Sequence, residues 1–194
     1  MKKFELTSEF VTFLGKKLFR IKALVAFGDV EEGELGGFVE KEENLDQFGN
    51  AWVSGNAWVS GDAQVSGNAW VSGNAWVSGN ARVHGNARVS GDAQVSGDAW
   101  VSGDAQVSGD AQVYGNAWVQ CCRDYSAASC FGSEDRTTTF FRTKDGGIGV
   151  RCGCFYGTLD EFREKVKERH GDRRLAKEYL MLADLMEFRL SKDE

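Results

Sequence analysis

The sequence predicts a mainly β fold, a parallel β-helix of triangular 18-residue coils closed by an N-terminal hairpin and followed by a small α+β unit. Three observations predict it. From Gly49 to Gln120 the phrase Gly-Asn/Asp-Ala-x-Val-z runs twelve times without insertion, and a fixed short period is the signature of a solenoid. Proline is absent from the chain, so glycine, Asn and Asp must make every corner. After Gln120 the repeat stops, and a hairpin pattern followed by two helical stretches takes its place. The expected units are therefore 1–48, 49–120 and 121–194.

Within 1–48, Phe10 to Leu14 and Leu18 to Phe27 are β-prone runs separated by Gly15-Lys16-Lys17, which reads as a hairpin. It would cap the exposed edge that a parallel coil leaves at its end. The lead-in Asp29 to Glu40 follows. Val39 and Leu45 fall in the frame of the repeat alanines by count, so a degenerate coil is expected before Gly49.

In each phrase Ala and Val share one face of a short strand while x points the other way. Small Ala and branched Val suit a narrow, dry interior, and Gly-Asn or Gly-Asp tolerates the left-handed backbone of a tight corner. Three edges close a triangle, so residues 18 apart should stack about 4.8 Å apart. The variable position then sorts into three outer faces: Trp52, Trp70, Arg88, Gln106; Trp58, Trp76, Gln94, Gln112; and Gln64, Arg82, Trp100, Trp118. Every tryptophan has a tryptophan neighbour one coil away. Such pairs either reinforce coil-to-coil contact or serve as exposed anchors for a partner.

Residues 121–194 should form a hairpin, Thr137 to Thr143 and Ile148 to Tyr156 around Lys144-Asp145-Gly146-Gly147, packed by two helices. Thr158-Leu159-Asp160-Glu161 has capping-box spacing, Leu159, Phe162 and Val166 share a helical face, and Gly171 is a stop. The second helix, about Arg173 to Leu190, would turn Leu175, Tyr179, Leu182 and Met186 inward. An exposed hairpin edge and this helix make a homodimer reasonable.

The repeat, as in Val-Ser-Gly-Asn-Ala-Trp, resembles the hexapeptide-repeat proteins that fold as left-handed parallel β-helices, and the left hand comes from that resemblance. The wider layout, with Gly-Glu-Leu-Gly-Gly-Phe-Val-Glu before the repeat and Phe140-Phe141-Arg142-Thr143-Lys144-Asp145 and Cys152-Gly153-Cys154-Phe155-Tyr156-Gly157 after it, looks like repeat proteins carried by phages and prophages of gut bacteria. That resemblance implies a non-enzymatic accessory protein that blocks a bacterial host protein, for example a CRISPR nuclease or another nucleic-acid-binding defence effector.

Charge narrows the partners. The net charge is −6; residues 1–48 carry 7 basic and 10 acidic side chains, 49–120 carry 2 and 5, and 121–194 carry 14 and 14. No basic stripe exists to displace counterions, so direct nucleic-acid binding is not expected. An acidic lead-in, with Glu31, Glu32, Glu34, Glu42 and Glu43, is a second candidate contact beside Trp52, Trp58, Trp70, Trp76, Trp100 and Trp118. Asp62, Asp92, Asp98, Asp104 and Asp110 are too few for a close DNA mimic: about 19 Å of duplex presents on the order of 11 phosphates.

Catalytic and cofactor chemistry finds little footing. Hexapeptide-repeat acyltransferases use a cleft histidine as general base. Here the one repeat histidine, His84, occupies a z position and is expected at a corner in water. His170 closes the first helix, where a cation suits the dipole. Cys121, Cys122, Cys130, Cys152 and Cys154 lack the spacing of a zinc ribbon, although four could converge if the hairpin packs on the linker; no metal or cofactor is expected. Cys152 and Cys154 should share one strand face as buried thiols. No apolar run reaches the roughly 18 residues of a membrane span, and Met1-Lys2-Lys3-Phe4-Glu5 lacks a signal-peptide core, so a cytoplasmic protein acting in the bacterial host is expected. A structural rod and an acyltransferase are the alternative readings.

Overall fold

A computed structural model describes residues 2–132 and 134–191. It shows a parallel β-solenoid of about five turns between an N-terminal hairpin and a C-terminal sheet with two helices. The hairpin pairs β1 (Phe4–Phe13) with β2 (Lys16–Ala23), and β3 (Leu35–Val39) follows. Twelve two-residue strands then recur every six residues, from β4 (Trp52–Val53) to β15 (Trp118–Val119).

The register is the one the 18-residue count demands: Trp52 pairs with Trp70, Trp58 with Trp76, and Trp100 with Trp118, all parallel. Every repeat Ala and Val is buried at 1% exposure or less. Backbone bonds run coil to coil, such as Trp70 N to Ala87 O at 2.9 Å, so one strand's donors are satisfied by the next turn. The corner glycine is required twice over. Gly73 has φ 69°, and a Cβ there would lie 2.9 Å from Gly91 O on the next coil. Asn side chains lace the corners: Asn50 donates to Asn68, Asn68 to Asn86, and Asn86 to Asp104. Asp92, Asp98 and Asp104 are acceptors of such ladders, which gives these carboxylates a structural role.

The degenerate first coil is present, but in a different frame. Val39 pairs with Val59 and Leu45 with Val65, so both occupy valine positions and not alanine positions. The corner after Asp46 holds two additional residues, since Asp46 N and Asn50 N bond to Val65 O and Gly67 O, sites that Ser66 and Asn68 match two residues apart one coil later. Gln47 sits in that longer corner and accepts from Lys3 N at 2.8 Å. Lys3 itself is 4% exposed and donates to Ala51 O at 2.9 Å. Burial pushes its ammonium down to about 8, against the pull of Asp46.

The C-terminal unit is a four-stranded sheet, ordered β16 (Tyr125–Phe131), β17 (Arg136–Arg142), β18 (Ile148–Cys152) and β19 (Phe155–Thr158). The expected hairpin is its middle, and two features differ. Residues 125–131 add a strand outside β17, so the hairpin edge is covered. The run to Tyr156 breaks at Gly153, whose φ is 57°, so Cys154 lies exposed in a turn and does not share a buried face with Cys152. Helix α1 (Leu159–His170) begins at the reciprocal Thr158–Glu161 capping box and buries Leu159, Phe162 and Val166. Helix α2 (Arg174–Leu190) buries Tyr179, Leu182 and Met186 as expected, with Ala176, Ala183 and Leu190; Leu175 is half-buried.

Candidate interaction surfaces

The structure separates the six tryptophans. Trp52 is fully buried and is no surface anchor: Phe4 and Phe27 of the cap meet its ring edge-on at 6.5 and 5.4 Å. Gly36 makes this possible, because a Cβ there would come within 2.7 Å of the indole. Trp58 and Trp76 are half-covered by Phe13 at the hairpin tip, at 5.0 and 4.7 Å. Trp70 is also half-buried and donates to Ser54 Oγ at 3.1 Å. The N-terminal pairs are therefore largely reinforcement and cap contact.

The third face is different. Trp100 and Trp118 stack at 4.8 Å and 32°, Arg82 lies over Trp100 at 5.4 Å, and among the described residues no ring of the N-terminal hairpin packs on them. His84 packs edge-on against Trp100 at 4.9 Å. It is half-buried at its corner and not free in water, with its Nε2 buried and without a hydrogen-bond partner among the described residues. Burial, then the neighbouring Arg82, lowers its pKa below the usual 6.5.

Of the acidic lead-in, Glu31, Glu32 and Glu43 are exposed, Glu34 is half-buried and accepts from Glu31 N, and Glu42 pairs with Lys2 at 2.8 Å. Glu40 and Asp62 are likewise held by Lys16 and Lys41, at 2.9 and 2.7 Å, so lysines of the cap offset part of the acidic end. The five cysteines are free. Among the described residues no group of three or more His, Cys, Asp or Glu could hold a metal ion.

The largest apolar exposure lies on the second helix, which the sequence offered as a homodimer contact without singling out these residues. Met181, Leu185 and Phe188 are 72%, 56% and 85% exposed on α2. Their spacing of four and three puts them on one stripe, opposite the face that packs on the sheet. The signal was present as a second apolar stripe on a helix with an inner face already assigned. The C-terminal end of α2 approaches the third solenoid face, since Leu190 and Trp118 line one cavity of about 300 Å³. Arg142 ties this corner together, donating to Leu190 O at 2.9 Å while pairing with Asp124 at 3.2 Å.

Three stretches of the solenoid, residues 63–79, 75–91 and 93–109, match the family model described as YdcK Beta solenoid repeat. The chain is thus a β-solenoid repeat protein. No curated protein matches it. Among the described residues no helix is long and apolar enough to cross a membrane.

Proposed function

We propose that this chain is a non-enzymatic binding protein of the phage type that acts in the bacterial cytoplasm by blocking a host defence protein, with a CRISPR nuclease as the example to test first. The observation that carries the binding part is the exposed Met181–Leu185–Phe188 stripe on α2. Three large apolar side chains on one helix face, all more than half exposed, form a contiguous patch of the kind that marks contact on folded proteins. The phage and host parts rest on the sequence resemblance. The rigid solenoid would hold the two capped ends at a set distance, and the acidic lead-in would add a second, weaker contact. The uninterrupted repeat from Gly49 to Gln120 and the packing of His84 against Trp100 favour this reading over acyl transfer.

The test is phage plating on a bacterium with an active CRISPR system that expresses the chain. Native protein should restore plating, and Leu185→Asp with Phe188→Asp should abolish the effect while leaving thermal melting unchanged. Equal activity of the native and doubly substituted chains would remove α2 from the contact. No restoration by the native chain against a panel of such systems would sink the defence reading. The structural alternative, a self-assembling spacer, is favoured by the uncharged edge strand β16, Tyr-Ser-Ala-Ala-Ser-Cys-Phe, which carries no lysine or proline to discourage pairing. It predicts concentration-dependent dimers in sedimentation, without any host protein.

A further inference from the structure

A cavity of about 270 Å³ opens in the C-terminal unit between the β18–β19 turn, the start of β17 and the two helices. Its lining combines aromatic rings, Phe155, Phe162 and Tyr179, with three cationic side chains, Arg136, Lys165 and Arg169. The rings are already arranged for one another: Phe162 meets Phe155 at 5.6 Å and Tyr179 edge-on at 5.7 Å, and His170 stacks on Tyr179 at 5.7 Å and 28°. They form an apolar wall held by the core below it, because Phe162 and Tyr179 are both buried residues of the helix–sheet cluster.

The charge at this cavity runs against that of the chain. The protein carries −6 overall, yet three full positive charges and one carboxylate, Glu134, line the cavity. Glu134 stands 3.6 Å from Arg136, both exposed, an ion pair that contributes little in water. Lys165 is paired with Glu168 at 2.6 Å. Arg169 has no carboxylate within ion-pair distance among the described residues. The C-terminus of α1 also faces this region and presents roughly half a negative charge; with Glu134 and Glu168 paired to two of the three cations, Arg169 leaves a slight positive excess.

We infer that this cavity is a binding site for a small anion that carries one flat ring, a mononucleotide-sized aryl or nucleoside phosphate. The ring would lie against the aromatic wall, and the anionic group would be held by Arg136 and Arg169, whose planar guanidinium groups match phosphate oxygens two at a time. A cavity of about 270 Å³, mostly apolar with charged side chains in its lining, lies close to the lower end of the size range of small-ligand sites. Selectivity should need both halves of the ligand, since an exposed pair of arginines alone gives only salt-screened attraction.

Isothermal titration of the full chain tests this with four probes at physiological salt: adenosine 5′-monophosphate, phenyl phosphate, adenosine and inorganic phosphate. A ring-bearing phosphate should bind with Kd of about 100 µM or tighter, at least tenfold more tightly than adenosine or inorganic phosphate. The double variant Arg136→Gln with Arg169→Gln should weaken it by a further tenfold or more. Arg174→Gln, which removes an exposed arginine outside the cavity, should leave it unchanged. Both sets of changes are at exposed side chains, and an unchanged melting temperature confirms the fold. No heat with either ring-bearing phosphate overturns the site. So does adenosine binding as tightly as its phosphate, inorganic phosphate matching the ring-bearing probes, or Arg174→Gln weakening binding as much as the double variant.

Discussion

Phe141 and Gly149 sit opposite each other on β17 and β18, and the Phe141 ring fills the space that a side chain at Gly149 would need. Phe141 is fully buried in the core of the solenoid, whereas its neighbour Phe140 belongs to the core beneath the two helices. Successive residues of a strand point to opposite faces. One strand thus closes the last coil with one side and builds the C-terminal core with the other. Thr139 assists, with its Oγ1 accepting from Gln112 N at 2.9 Å.

Phe141→Ala should therefore cost about 3–5 kcal/mol, the range for removing a buried phenylalanine. Gly149→Ala should also destabilise, because it displaces the same ring. Urea unfolding measures both. An unchanged midpoint for Phe141→Ala would mean that the last coil needs no plug.

Trp52 and Trp100 carry the same side chain in the same repeat position, yet they should respond differently. Trp52→Ala should cost about 3–5 kcal/mol, and Trp100→Ala about 1 kcal/mol because its ring is only half-covered. Trp52→Phe should be close to neutral, since it removes an indole N–H that is buried without a partner. Thermal melting of the three variants distinguishes a core residue from a rung of a surface ladder. Equal losses for the two alanine variants would contradict the burial seen here.

His84 gives the solenoid a pH dependence. Its pKa is lowered in the folded chain by burial and by Arg82, so it stays neutral there while the unfolded chain takes up a proton below about 6.5. The stability it contributes is full above that value and is lost as pH falls from 6.5 toward the folded pKa. Melting temperature should drop between pH 7.5 and 5. His84→Ser, which restores the residue most common at that position, should show a smaller drop. Parallel curves for the two proteins would remove His84 as a cause.

Asp124 and Arg142 fasten the C-terminal unit to the end of the solenoid. The Asp124 carboxylate is nearly buried and accepts from Gln120 N and Cys121 N at 2.8 and 3.0 Å. Arg142→Gln should cost about 2–3 kcal/mol, below the value for a fully buried pair because the arginine is partly exposed. It should also speed cleavage of the α2 end in limited proteolysis. Asp124→Asn combined with Arg142→Gln should recover part of the loss, which a double-mutant cycle reads directly.

Much of this was legible in the chain. The repeat phrase has one solution in three dimensions: Gly with positive φ at each corner, Ala and Val inward, and a neighbour 18 residues away. The capping box at Thr158 and the apolar positions of both helices were readable because they depend on contacts within a few residues. The frame of the first coil was not. Val39 and Leu45 lie 18 residues before alanines, but the corner after Asp46 lengthened by two residues and moved them into valine positions. A loop insertion is invisible where the repeat has already decayed.

By itself the sequence determined the coil, its period, the stacking of each tryptophan on another, and the two helices, all consequences of local geometry repeated at fixed spacing. Only the tertiary structure decided which of those tryptophans meets solvent and where the charged and apolar surfaces lie. That depends on what the two caps cover. Phe4, Phe13 and Phe27 lie 25 or more positions away from the indoles they touch, and Arg136 and Arg169 reach one cavity from a strand and a helix. Long-range packing places such groups together, and no short-range pattern in the chain records it.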